Sequence, residues 1–73
     1  MAQFFKFSGS YYNEMLEKKT VKMAAIDHRT VAEYIADSAR RMHLGSLIVV
    51  IERDTKEKRT YALDENRRPV YRF

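Results

Sequence analysis

Leu47-Ile48-Val49-Val50-Ile51 is the stretch that most constrains what this chain can fold into. It is a continuous apolar run, β-branched from Ile48 to Ile51, set between Gly45 and the charged Glu52-Arg53-Asp54. Such a run is consistent with a strand covered on both faces. In a chain of 73 residues it can anchor only one core. A domain of this size buries roughly 60% of its unfolded surface, so its stability is expected to be marginal unless a partner helps. The expectation is a single small domain over residues 1–73.

The other elements are read around that strand. Phe4, Phe5 and Phe7, then Tyr11 and Tyr12, favour a first strand over residues 3–12, and Gly9 inside it suggests a bulge or sharp bend. Residues 13–19 read either as a hairpin loop or as one helical turn capped by Ser10, with the loop preferred. Val21, Met23 and Ala25 alternate with Lys22, which predicts a second strand over 20–26. A helix follows over 27–43. Asp27 is its N-cap, with Thr30 and Glu33 as an alternative capping box. Val31, Ile35, Ser38, Ala39 and Met42 form a core-facing stripe at the helical period, with Tyr34 at its edge. Arg29–Glu33 and Asp37–Arg41 are spaced for i,i+4 pairing on the outer face. Arg40, Arg41 and His43 suit the last turn, and Gly45 suits a left-handed residue after it.

The third strand is then 46–52, followed by a polar turn at 54–57. A fourth strand over 58–63 has Arg59, Tyr61 and Leu63 on one face. The next turn, 64–69, has Asn66 as the residue best able to take a positive φ. Val70–Phe73 is a short final strand at an edge. The fold class is therefore α+β: an antiparallel sheet of four to five strands, order ββαβββ, with one helix packed on one face. The opposite face is left to water or a partner, and Lys6, Lys22, Lys58, Thr60 and some tyrosines are candidates for it.

Composition narrows the chemistry. The chain has no Cys, which removes disulfides and thiolate metal sites and favours an intracellular, cytoplasmic setting. The N-terminal residues lack a signal-peptide pattern and no apolar run approaches the ~20 residues a membrane helix needs, so no membrane association is expected. His28 and His43 would lie about 22 Å apart on one regular helix and read as capping or solvated groups, not ligands. Phosphate-loop, dinucleotide, zincin and nucleophile-elbow motifs are absent from the sequence. Glu52 is the one carboxylate worth examining for a raised pKa, against the ordinary reading of a charge that ends a strand. No catalysis, cofactor or metal is expected.

Binding remains. The net charge is +4, carried by the sheet and its turns, because residues 27–43 balance. Arg59, Arg67, Arg68, Tyr71 and Arg72 interleave cations with a ring and form the first candidate partner-binding group. Lys18, Lys19 and Lys22 form a second basic cluster. Cations and rings in this pattern suit phosphates and bases, and Arg and Tyr equally suit protein hot spots. The neutral helix argues against major-groove reading by that element. The final edge strand can extend a sheet across a homodimer or onto a partner.

The layout also resembles that of small phage and mobile-element proteins that inhibit host machinery, and among them compact type I anti-CRISPR proteins. The resemblance is carried by element order: a hairpin ending in Val21-Lys22-Met23-Ala24-Ala25-Ile26, the helix Thr30-Val31-Ala32-Glu33-Tyr34-Ile35-Ala36, then Leu47–Ile51 and the closing strands with Tyr61 and Tyr71. It implies a non-catalytic inhibitor that occupies a surface of a host protein complex. The second reading is a small basic nucleic-acid-binding protein that uses the sheet face and loops.

Overall fold

The computed structural model describes residues 3–38, 41–43 and 45–73. Its strands are β1 (Phe5–Tyr12), β2 (Lys18–Ala25), β3 (Ile48–Glu52), β4 (Lys58–Leu63) and β5 (Pro69–Arg72), and its helix is α1 (His28–Ser38). The order is ββαβββ. All five strands form one antiparallel sheet in the spatial order β2-β1-β3-β4-β5. β2 and β3 both run opposite to β1, which lies between them, so β2-α1-β3 is a parallel crossover split by β1. The apolar run supplies the central strand, and β2 and β5 are the edges.

α1 begins where the sequence places it. Asp27 Oδ1 accepts the Thr30 backbone N–H at 2.8 Å and the Thr30 hydroxyl at 2.7 Å, which satisfies an otherwise orphaned donor of the first turn. Val31, Ala32, Ile35 and Ala36 are buried, with His28 one turn earlier. The buried stripe thus includes two alanines in place of the expected Ser38, whose exposed hydroxyl donates to the Tyr34 carbonyl. Ala39 and Arg40 lie outside the described residues.

The helix does not continue to residue 43. Arg41 is in a turn, Met42 forms an isolated bridge with Asn13, and His43 donates its N–H to Tyr12 O at 2.9 Å. Glu14 N–H donates to Arg41 O at 2.8 Å, and Tyr12 N–H to Ser46 Oγ at 2.9 Å. The reason is a backbone debt. β3 pairs only with Phe7–Ser10, so the far end of β1 needs other partners, and the segment after α1 provides them. Met42 is still buried, but from an extended segment. With Arg41 in a turn, the expected i,i+4 geometry with Asp37 is lost; Arg29–Glu33 forms at 2.9 Å. Gly45 has a φ of +92°, as expected, within this segment and not at a helix end.

Gly9 is not a bulge. β1 pairs with β2 continuously from Phe5 to Tyr12, and Gly9 is in register with both Val21 and Val50. Its role is to let α1 approach: a Cβ there would stand 2.5 Å from Ile35 Cδ1 and 3.1 Å from Val31 Cγ1. Around this contact Phe7, Ala25, Ile48, Val50 and Tyr61 form the sheet's share of the core.

The loop reading holds for residues 13–17, while Lys18 and Lys19 pair with Tyr12 and Tyr11 and belong to β2. Asn13 Oδ1 accepts the N–H groups of Met15 and Glu17, and Leu16 takes a φ of +60°. The β4–β5 turn is built similarly: Asp64 Oδ1 accepts the N–H groups of Asn66 and Arg68, which puts the positive φ on Arg67 and not on Asn66.

Gly9→Ala is expected to destabilise the domain by about 1–3 kcal/mol, because Ile35 must leave its rotamer or α1 must lift. Denaturant unfolding of the variant measures it. An unchanged midpoint would remove the close approach as the reason for glycine here.

Candidate binding face

Strand alternation and the observed burial divide the sheet into two faces. The helix side carries Phe7, Gly9, Ile48, Val50, Glu52 and Tyr61, all buried. The other side has nothing packed on it among the described residues. The central strand is therefore covered on one face only: Ile48 and Val50 have no exposed surface, while Val49 and Ile51 on the far side are half-buried.

The uncovered face collects cations. Lys6, Lys18, Lys22, Lys58 and Arg72 all occupy its strand positions and all are exposed. The ladder fixes their rows. Lys22 faces Ser8, which faces Ile51, which faces Lys58. In the next row Thr20, Ser10, Val49, Thr60 and Arg72 follow one another across the sheet. Lys22 and Lys58 thus stand three strand spacings apart, about 14 Å. Arg53 enters beside Lys6, whose carbonyl accepts its N–H at 2.8 Å, and the Arg53 Nε is buried without a hydrogen-bond partner.

No strand position on this face is Asp or Glu. The carboxylates lie in the turns, on the helix segment, or, for Glu52, on the covered side. The two ion pairs to carboxylates described here, Arg29–Glu33 and Arg59–Glu57, also lie off this face.

The structure divides the first candidate group. Arg59 and Tyr71 come together on the helix side, with the guanidinium 5.8 Å from the Tyr71 ring centroid. Arg59 also donates two hydrogen bonds to Glu57 Oε1, at 3.1 and 2.8 Å, which raises its pKa. Tyr71 stacks between Tyr61 and Phe73, at 5.6 and 4.8 Å. Tyr61 itself belongs to the core, and burial pushes its phenol pKa up. Arg67 and Arg68 stand at the opposite end of the β4–β5 hairpin, where they line a cleft with Glu33 and Asp37 of α1. Arg72 is on the uncovered face, and it lines with Arg67 and Leu47 a second cleft beside β4. Of the second cluster, Lys18 and Lys22 share the uncovered face, while Lys19 is of opposite parity.

The helix end of the sheet holds a second polar group. His28 is buried, not solvated: its ring packs edge-on against Phe7 at 4.8 Å. Its Nε2 lies 3.0 Å from the Glu57 carbonyl, so that nitrogen carries the hydrogen. Glu52 is 5% exposed, and its carboxylate accepts the N–H groups of Asp54 and Thr55. The Thr55 hydrogen bonds, side chain first, hold its pKa below the ordinary 4.5. The shift is the reverse of a raised catalytic acid, because hydrogen bonds to the charged form outweigh desolvation. Glu52 pins the β3–β4 turn. Among the described residues no group of His, Cys, Asp and Glu could hold a metal ion, and no helix is long and apolar enough to cross a membrane.

No family model matches this chain, and no curated protein or solved structure matches it either.

Because the Glu52 pKa is lowered on folding, its stabilising contribution is full above its ordinary value and is lost as pH falls through the folded-state value. Asp27, lowered chiefly by the Thr30 side-chain hydrogen bond, acts in the same direction below 3.8. Thermal melts from pH 7 to pH 3 are expected to show a falling midpoint below about pH 4.5 that is shallower in Glu52→Gln. An identical pH profile in the variant would remove Glu52 from the acid response.

Proposed function

We propose that this protein is a non-catalytic binding protein whose working surface is the uncovered face of its sheet. One observation supports the reading above others: that face carries Lys6, Lys18, Lys22, Lys58 and Arg72 with no carboxylate among its strand positions. A neutral or mixed face would suit solubility alone. A face of one sign concentrates the field over a single side of the molecule and selects an acidic partner. The biological setting proposed with it is that of a phage or mobile-element modulator of a host protein complex, as the element order suggests. A basic protein acts there by meeting acidic protein surface or the nucleic acid itself, not by imitating nucleic acid.

Catalysis has less to support it. Glu52 and His28 are both committed to holding the β3–β4 turn and the helix start, and the face itself offers amines and hydroxyls without a base beside them.

Charge reversal separates this face from the arginines of the β4–β5 turn. Lys22→Glu/Lys58→Glu is expected to abolish capture of the native partner from cell extract while leaving the thermal midpoint within a few degrees, since both side chains are exposed. Arg67→Glu/Arg68→Glu is expected to retain capture. The opposite pattern would move the working surface to the turn.

A further inference from the structure

Resting on that reading of the face, we infer that its occupant is the phosphate backbone of duplex DNA, bound without sequence preference. The first ground is charge complementarity. Lys22 and Lys58 share one row, Arg72 ends the next, and Lys6 and Lys18 stand in the rows on either side, a field of one sign over four rows of the sheet. Arg53, half-buried beside Lys6, adds a further cation at this end of the field.

The second ground is what lies between the cations. Ser8, Ser10, Thr20 and Thr60 occupy the rows that join them. Hydroxyls and lysines are the side chains that contact phosphate oxygens and fix a protein on a duplex. A protein-binding surface of this size would need a desolvated anchor at its centre, drawn from Trp, Tyr or Arg, and lysine is depleted there. The centre of this face is Val49 and Ile51, both already half-buried by their neighbours.

The third ground separates duplex from single strand. Single-strand binders stack bases on aromatic side chains. Tyr12 is the sole aromatic at a strand position of this face, and it stands at the end of β1. Of the other exposed rings near the sheet, Phe4 and Phe5 stand singly at the start of β1, and Tyr71 and Phe73 pack against each other at 4.8 Å on the helix side. No helix is available to enter a groove from this face, because α1 is packed on the other. What remains is contact with phosphates, which carries affinity but no sequence information.

The test is fluorescence anisotropy of a labelled mixed-sequence DNA duplex titrated with the full chain between about 50 and 200 mM salt. Neutralising about five phosphates predicts a slope of log Kobs against log salt near −4 to −5. Lys22→Gln/Lys58→Gln is expected to make the slope shallower by about 2 and to weaken binding by roughly 50–100-fold near 0.1 M salt. Arg29→Gln/Arg59→Gln removes the same net charge away from the face and is expected to leave the slope unchanged. A change of slope reports lost phosphate contacts in a way that partial unfolding does not.

Absence of duplex binding by the folded wild-type chain at the lowest salt would overturn the inference, as would equal slopes for the two double variants. Tighter binding of the matching single strand would overturn the duplex assignment. The underlying reading fails separately. If the duplex is not bound but Lys22→Glu/Lys58→Glu abolishes capture of a nuclease-resistant acidic protein, the face stands and DNA is the wrong occupant. If those substitutions change neither, both fall.

Discussion

The contact between α1 and β1 at Gly9 governs the rest of this structure. Ile35 Cδ1 and Val31 Cγ1 occupy the space a β-carbon would need, and Ala32 and Ala36 keep the rest of the helix's buried side thin. A helix held this close buries Phe7, Ile48 and Val50 beneath it. Hydrophobic stabilisation scales with apolar area removed from water, and a chain this short has little area to spare. Close approach extracts the most burial from a single helix.

The same economy creates the open face. One helix covers one side of a five-stranded sheet, and among the described residues no element remains for the other. An uncovered side built of apolar residues would be an aggregation hazard. Here Val49 and Ile51 are flanked by Ser8, Ser10, Lys58 and Thr60, and lysines stand on the β2 edge, where unpaired backbone groups would otherwise invite another strand. The cations therefore have a structural reason to be present. Structure alone does not require them to be unmixed with carboxylates, since a Glu would solubilise the face as well as a Lys. That one-sidedness is the ground on which the face is proposed as a binding surface.

Polar side chains do the work of the missing residues at the turns. Asn13, Asp27, Glu52 and Asp64 each accept backbone N–H groups that the strands and helix leave unpaired. Glycine is used at Gly9 and Gly45 only, and the positive φ values of Leu16, Lys56 and Arg67 are carried by ordinary residues. Those strained positions lie in turns where a neighbouring Asn, Glu or Asp side chain, or a backbone bond such as Lys56 N–H to Glu52 O, holds the geometry. Three of the chain's polar residues, Asn13, Glu52 and Asp64, thus close turns, Glu52 despite its burial, and Asp27 caps α1.

The amino-acid sequence alone specified the element order, the strand over Ile48–Ile51, the Asp27 cap and the side of β4 that carries Tyr61. Each of these is a local pattern, of period 2 or 3.6 or of capping chemistry, and local patterns survive without knowledge of partners. It also offered Lys6, Lys22, Lys58 and Thr60 for the far side of the sheet. Only the tertiary structure decided that α1 stops before Met42, because the end of β1 takes that segment as a pairing partner. It alone decided that Gly9 admits a helix and does not bend a strand, that His28 is buried against Phe7, and that Arg59 and Tyr71 stand on the side opposite Arg72. These outcomes depend on register, and register is set by contacts between residues far apart in the chain. A one-residue slip would exchange the faces, so the gathering of five cations on one side becomes visible only when the strands are paired.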